Sequence, residues 1–475
     1  MATDDAPRAS LWSSFSELIA RPVDAAGLAA FRVAFGLLMF CAVVRFVVRG
    51  WVDELLLAPS FHFTYLGFDW VQPLPRALMY GHFALLGALA LAVAAGFYTR
   101  ASALAFAALF TYAELIDKTT YLNHYYFVSL IALLLAFVPS HALWSFDARR
   151  SSRSHVPFAG YLVLRVQVAL VYAYAGLAKL NPDWLFRAEP LRTWLRAHAE
   201  LPFVGQWLAE PNTAFAMSWA GAAFDLTVVP LLCFRRTRPF AIAAAVVFHG
   251  AIWLLFPIGI FSFVMLLAIT VFFAPSWPRR WFPARSTEAA SAARGARRER
   301  GTELARPRPL LLSLALAYLV VQALLPLRHL LYPGPVNWTE QGFRFAWRVM
   351  LIEKTGQVEY EVRSDNPRRH LRVLPRDELT PLQVKMLSTQ PDMIQDYARH
   401  LARRFEARGY RGVEVRADAW VAFNGRPSQR LIDPTVDLAH APRSLAAKSW
   451  ILPLHVASQR LVPAQRETNT KLSRL

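Results

Sequence analysis

Cysteine is almost absent: the chain of 475 residues has two, Cys41 and Cys233. Both fall in apolar runs and read as free thiols, so no disulfide framework is available. None of the twelve histidines stands in an H-x-x-H or H-E-x-x-H spacing, and no C-x-x-C occurs, so no metal is expected. A Walker loop, a G-x-G-x-x-G after a strand and a G-x-S-x-G elbow are also missing, which removes the common nucleotide-binding and serine-hydrolase readings. Charge is scarce too, at 18% of residues against 55% hydrophobic, where average soluble chains have about 25% and roughly 45–50%. Acidic residues are the rarer sign, 33 against 52 Lys and Arg, for a formal net charge of +19. An aromatic content of 13% excludes disorder. An apolar yet basic chain reads as a polytopic membrane protein rather than a nucleic-acid binder, because cations flank bilayer-spanning segments.

The apolar residues are gathered in runs near the roughly 20 residues that a membrane helix needs. About nine segments are expected, over 24–48, 78–95, 101–116, 122–140, 158–180, 213–233, 238–256, 258–274 and 309–330. The third and eighth are short. No cleavable signal peptide is expected, since the first apolar run is too long for an h-region and Asp4 and Asp5 precede it. Arginines mark three loops: Arg149, Arg150 and Arg153; Arg235, Arg236 and Arg238; and nine arginines within 275–308. With nine helices all three loops fall on the N-terminal side, which the positive-inside rule makes cytoplasmic.

Beyond about residue 331 no membrane-length run remains. Residues 359–362 and 413–423 alternate like strands, and 382–408 has helical periodicity through Leu387, Met393, Ile394, Tyr397 and Leu401. The expected fold is therefore mainly α: a polytopic membrane helix bundle with a small extracytoplasmic α+β C-terminal domain. Residues 1–275 form the transmembrane bundle, 276–308 a basic cytoplasmic linker, 309–330 the last transmembrane helix and 331–475 the outer domain.

Ionisable groups inside membrane helices are costly and are functional candidates by default. Lys179 ends the fifth run in Tyr174-Ala175-Gly176-Leu177-Ala178-Lys179-Leu180-Asn181-Pro182-Asp183-Trp184. A lysine there can snorkel to the interface. Small neighbours and the stop at Asn181-Pro182 favour instead an amine held against backbone, where poor hydration disfavours the ammonium and makes a usable base. His124, following Asp117-Lys118-Thr119 and Asn123, opens the fourth helix, and His249 lies late in the seventh. Each alone reads as an interfacial anchor or a buried structural histidine. Together the topology puts Lys179, His124 and His249 in the outer half of the membrane, as one polar pocket beneath the outer domain. Arg32 and Asp225 are further intrusions, and helix–helix pairing is the simpler reading of Asp225.

At these residues the chain resembles the vitamin K-dependent gamma-glutamyl carboxylase family and its bacterial relatives, the horizontally transferred transmembrane domain proteins. The resemblance runs through Arg21-Pro22-Val23-Asp24 with Phe31-Arg32, Asp117-Lys118-Thr119 with Asn123-His124, Ala175-Gly176 to Lys179-Leu180, Asp183-Trp184, Phe248-His249 and Ser276-Trp277-Pro278-Arg279. It resumes at Asn337-Trp338-Thr339, Trp347, Asn424-Gly425-Arg426-Pro427 and Asp433-Pro434-Thr435. It implies a lyase-type enzyme in which a lysine deprotonates reduced vitamin K, a naphthohydroquinone. Oxygen then adds to form a strong base, glutamate loses a γ-proton, carbon dioxide traps the carbanion and the quinone leaves as its epoxide. By that resemblance Lys179 is the base and His124 serves the carboxylation half. His249, Arg32, Asn123 and Trp347 bind substrate or cofactor, with Asp117, Asp183 and Asp225 supporting. The implied partners are the lipid bilayer, quinol, O2, CO2 and a glutamate-containing peptide or protein, with no nucleic acid, and the implied location is a bacterial inner membrane. Two departures fall on glutamate recognition: Ile352 replaces a histidine after the tryptophan matched by Trp347, and Ile252 replaces an asparagine after the matched His249. A quinol epoxidase or quinone-binding redox protein without carboxylation is the alternative, and a transporter or lipid-binding protein the next.

Overall fold

The computed structural model describes residues 11–149, 152–283 and 309–455. The greater part of the expected basic linker, 284–308, lies outside the described residues. A short helix α1 (Leu11–Ala20) leads to the bundle: α2 (Ala26–Val48), α3 (Arg76–Ala95), α4 (Thr99–Ile116), α5 (Asn123–Phe137) and α6 (Ala159–Lys179). Three short helices, α7 (Pro182–Arg187), α8 (Leu191–Arg196) and α9 (Gly205–Ala209), precede α10 (Pro211–Cys233), α11 (Arg238–Leu255), α12 (Phe261–Ile269) and α13 (Pro309–Leu324). All nine expected apolar runs are helical. Among the described residues six helices are long and apolar enough to cross a membrane: α2, α3, α6, α10, α11 and α13 with its continuation to Leu331. α5 and α12 are apolar but shorter. The chain is an integral membrane protein with a mainly helical fold.

The bundle packs by neighbours, with α2 on α3, α4 on α5, and α10 against both α6 and α11. Its two ends differ. At one, strand β1 (Pro22–Asp24) pairs antiparallel with β2 (His155–Pro157), and Arg279 pairs with Asp24 at 3.3 Å. This joins the entry to α2, the loop after α5 and the start of the basic linker. The other end carries the C-terminal domain.

That domain is a four-stranded antiparallel sheet in the order β4 (Arg368–Val373), β3 (Lys354–Asp365), β5 (Glu414–Phe423), β6 (Gln429–Arg430). Val415, Ala417, Ala419, Val421 and Phe423 alternate onto its buried face. A small helix α14 (Val336–Thr339) brings the buried Trp338 into the same core. The helical run expected over 382–408 is two helices, α15 (Pro381–Leu387) and α16 (Pro391–Ala407). Pro391 has no N–H to donate and clashes with a preceding turn, so it starts a helix instead of continuing one. The capping box of Thr380 and Gln383 fixes the start of α15. Met393, Ile394, Tyr397 and Leu401 lie on the buried face of α16, as their spacing requires.

Candidate active site

Lys179 is the last residue of α6 and is buried. The helix stops there because Asn181 serves two helices. Its Nδ2 donates to Ala178 O at 2.8 Å, and its Oδ1 accepts from Trp184 N at 3.1 Å, capping α7 with Pro182 in the first turn. Gly176 lets α6 lie directly on α10, for a Cβ there would sit 2.8 Å from Leu226 Cγ. That close approach delivers the carboxylate of Asp225. Lys179 Nζ donates to Asp225 Oδ2 at 2.6 Å and, more weakly, to Ala175 O at 3.4 Å. The Trp184 ring closes the other side, its centroid 5.2 Å from Nζ. In low dielectric this is a strong one-to-one ion pair, and either partner left alone would be costly.

From the pair an aromatic and imidazole row crosses the bundle. One face of α6 carries Tyr172, whose hydroxyl lies 2.9 Å from His249 Nε2 on α11. Ser262 Oγ donates to His249 O at 2.7 Å and fixes that turn of α11 against α12. His249 Nδ1 is buried without a hydrogen-bond partner among the described residues. Phe224 stacks on Phe248 at 4.1 Å and meets both Tyr172 and His249 edge-on at 5.9 Å. Phe261 then lies between the two histidines, 5.9 Å from the His249 ring and 5.6 Å from the His124 ring. His124 and His249 thus face a common phenyl ring, and Tyr172 links His249 to the helix that carries Lys179.

The other expected residues have different surroundings. Trp347 leaves the C-terminal domain and enters the bundle core, stacked 5.0 Å from Tyr126 and edge-on to Phe127, with Nε1 unpartnered among the described residues. Asn123 Nδ2 donates to Arg348 O at 3.1 Å, tying the start of α5 to the same segment. Asp183 accepts from Arg426 and from Asn424 Nδ2, at 3.2 Å for the latter. Gly425 sits between these two at φ +70°, and a Cβ there would approach Glu189 Oε1 to 2.9 Å, so the Asn424-Gly425-Arg426 turn needs glycine. Asp117 accepts from the Thr119 N–H and hydroxyl at 2.8 Å and from Gln383 at 3.0 Å. Burial pushes its carboxyl up, against the pull of those bonds. Asn123, Asp117 and Asp183 therefore fasten the outer domain to the bundle.

Arg32 stands apart from the row. Its guanidinium donates to Val93 O and Ala94 O at 2.6 Å, Trp144 O at 2.6 Å and Ser140 O at 3.1 Å. These carbonyls close α3 and the loop after α5, a full helix length, about 22 Å on ideal rise, from the His124 end of α5.

The docking seam has a buried lysine of its own. Lys118 Nζ donates to Asp396 at 2.5 Å and Asp392 at 2.9 Å, and Arg344 also donates to Asp392, at 2.8 Å. Burial raises the Asp392 carboxyl, but Arg344 and Lys118 outweigh it and hold the group well below the usual carboxylate range. Cavities open at three places outside the row. The first, about 1020 Å³, separates α4 and α5 from the outer domain. A second of about 250 Å³ lies between α2, α3 and α4. The third, about 1260 Å³, opens beyond the end of α6, where Arg187, Arg348 and Arg426 face the single carboxylate of Asp183.

Family models match both halves of this architecture. The HTTM domain model covers residues 20–277, and the model of the lumenal domain of vitamin K-dependent gamma-carboxylase covers residues 307–457. No solved structure matches the chain. With the bundle and the outer domain each matched in order, and the HTTM model covering more than half of the chain, the protein belongs to the vitamin K-dependent gamma-carboxylase family.

Proposed function

We propose that this protein is a vitamin K-type quinol epoxidase of the membrane, coupled to γ-carboxylation of a glutamyl residue with O2 and CO2. The observation that carries the reading is the isolated, buried Lys179–Asp225 pair at the start of the Tyr172–His249–Phe261–His124 row. The row suits a flat quinol: Phe224, Phe248 and Phe261 offer ring faces and edges, and His249 Nδ1 is a buried polar atom with no partner of its own. When bound, the reduced quinone supplies, with oxygen, a base strong enough to take a glutamyl γ-proton.

The protein's share is proton handling and exclusion of water. The pair shares one proton. When it rests on Asp225, the Lys179 lone pair is free to accept another from a quinol hydroxyl. Lys179 then becomes an ammonium beside a neutral acid, and Asp225 acts as its proton reservoir. With Tyr172 donating to Nε2, His249 keeps its hydrogen on Nδ1 and can hold a ligand oxygen. Trp347 caps the row from the outer domain, and His124 serves the carboxylation half at the far end. Arg32 and Asn123 act by clamping helix ends and the outer domain. The arginine-lined cleft beyond α6 supports approach of a carboxylate-bearing peptide from the outer side. We infer about nine crossings in a bacterial inner membrane, with the N-terminus cytoplasmic and the C-terminal domain extracytoplasmic. The six long apolar helices together with α4, α5 and α12, and the joining of basic segments at the end away from that domain, support this.

One observation favours epoxidation without carboxylation. Ile252 and Ile352 pack against the same hydrophobic cluster as Trp184, so both polar positions of the larger relatives are apolar beside the Lys179 pair. Purified protein in lipid nanodiscs, given reduced naphthoquinone, oxygen, labelled bicarbonate and glutamate-containing peptides, separates the two. Epoxide with labelled peptide supports the coupled reaction, epoxide alone supports the second reading, and no epoxide contradicts both.

A further inference from the structure

Glu114 lies in the last turn of α4 and lines both the 1020 Å³ cavity at the outer-domain seam and the 250 Å³ cavity within the bundle. Among the described residues it is the one acidic residue common to the two linings. Its carboxyl makes no hydrogen bond or ion pair among the described residues. A carboxyl kept in an apolar helix without a fixed partner is retained against a cost, which points to use.

The smaller cavity holds more of the same kind. Arg45, from α2, enters it with Nε unpartnered, its guanidinium over the Trp51 ring at 4.9 Å and against Gly259, whose absent Cβ would lie 2.9 Å from Nη2. Arg45 has no carboxylate in salt-bridge range among the described residues, and Tyr125 lines the same cavity. The Tyr125 ring packs 4.7 Å from the ring of His124. Thr119 and Thr120 complete the polar part of a wall that is otherwise apolar. A water takes about 30 Å³ of liquid volume and needs two to four polar partners. This cavity has room and partners for a short chain of waters.

We propose that Glu114 is a proton relay between the seam cavity and the His124 end of the active-site row, an inference that rests on the quinol reading only in giving His124 a reaction to serve. A proton released near His124 passes along Tyr125, Arg45-bound water and cavity water to the Glu114 carboxylate, where an O–H bond forms. That bond breaks again on the seam side, the proton leaves into the larger cavity, and the carboxylate is restored. No electrons move, and the reverse path balances in the same way. The groups facing Glu114 are Arg45 from α2, Tyr65 from the loop after α2, Lys118 from the turn after α4, and Tyr125 from α5. Across the seam cavity the charged groups are Arg328, Glu340, Arg344, Asp392, Asp396, Arg443 and Lys448.

Infrared difference spectroscopy on the full chain in nanodiscs tests the relay without needing turnover. A carboxylic-acid stretch that titrates and shifts in D2O should be present in wild type, absent in Glu114→Gln and retained at a shifted frequency in Glu114→Asp. Where the wild type turns over quinol, Glu114→Gln should lose about ten-fold in rate. Its quinol KM should stay unchanged and its solvent isotope effect should rise, and Glu114→Asp should recover most of the rate. A wild-type rate and pH profile in Glu114→Gln, or an acid band indifferent to the substitution, would overturn the relay. If wild-type protein forms no epoxide, the quinol reading fails and the infrared band alone decides the relay.

Discussion

Two lysines are buried at the two working regions of the molecule, and their partners differ. Lys118, in the docking seam, lies between Asp392 and Asp396, which are themselves held by Arg344 and Arg443. Lys179, in the bundle, has one carboxylate, one long backbone contact and a tryptophan face. The first is a neutralised network joining two domains. The second is a one-to-one pair, and further along its row an imidazole nitrogen has no partner among the described residues. Burial of an amine is thus no sign of chemistry on its own; spare hydrogen-bonding capacity at the neighbouring atoms is the distinguishing feature.

The largest expected effect on stability is at the seam. Replacing Lys118 by Met leaves two carboxylates facing each other, and breaking a buried pair costs about 3–5 kcal/mol. The outer domain should become protease-sensitive while the bundle stays folded, and limited proteolysis in nanodiscs checks this. A similar substitution in the bundle should act the other way round. Asp225→Asn removes the proton reservoir and should cost about 100-fold in quinol turnover, with the outer domain still docked by the same proteolysis assay. His249→Phe, which removes the free Nδ1 but keeps a ring, should mainly raise quinol KM, by about ten-fold for a lost hydrogen bond to a neutral partner. Steady-state kinetics against quinol concentration reads that split.

The smallest effect concerns pH. Asp392 is held below its ordinary value in the folded chain, so its contribution is fully present above the unfolded carboxylate value of about 3.9 and is lost as pH falls through the folded one. The difference in docking stability between wild type and Asp392→Asn should therefore be constant from neutral pH to about 4.5 and shrink only below about 4. Hydrogen exchange of α16 across that range measures it.

Much of this arrangement was legible in the residues. Ionisable groups within apolar runs pointed to Lys179, His124 and His249, and the arginine loops put all three at one end of the bundle. Asp225 was visible too, but its pairing with Lys179 depends on the α6–α10 contact at Gly176, which no local pattern reveals. Tyr172 and Phe261 went unassigned because aromatic residues in a membrane helix look like ordinary packing. Arg45 and Glu114 lie near helix ends, where charge reads as interfacial. Asp117, Asn123 and Asp183 carried the family pattern, yet their side chains reach the outer domain, a contact between segments more than 200 residues apart. Strand β4 was missed because Arg368, Arg369, His370 and Arg372 mask its alternation.

The comparison of the two lysines can be settled in one paired measurement. Lys179→Ala and Lys118→Ala, reconstituted side by side, are assayed for quinone-epoxide formation and for protection of the outer domain from protease. Lys179→Ala should lose about a thousand-fold or more of epoxide formation with the domain still protected, and Lys118→Ala should expose the domain. Wild-type epoxide formation from Lys179→Ala would contradict the assignment of Lys179 as the base.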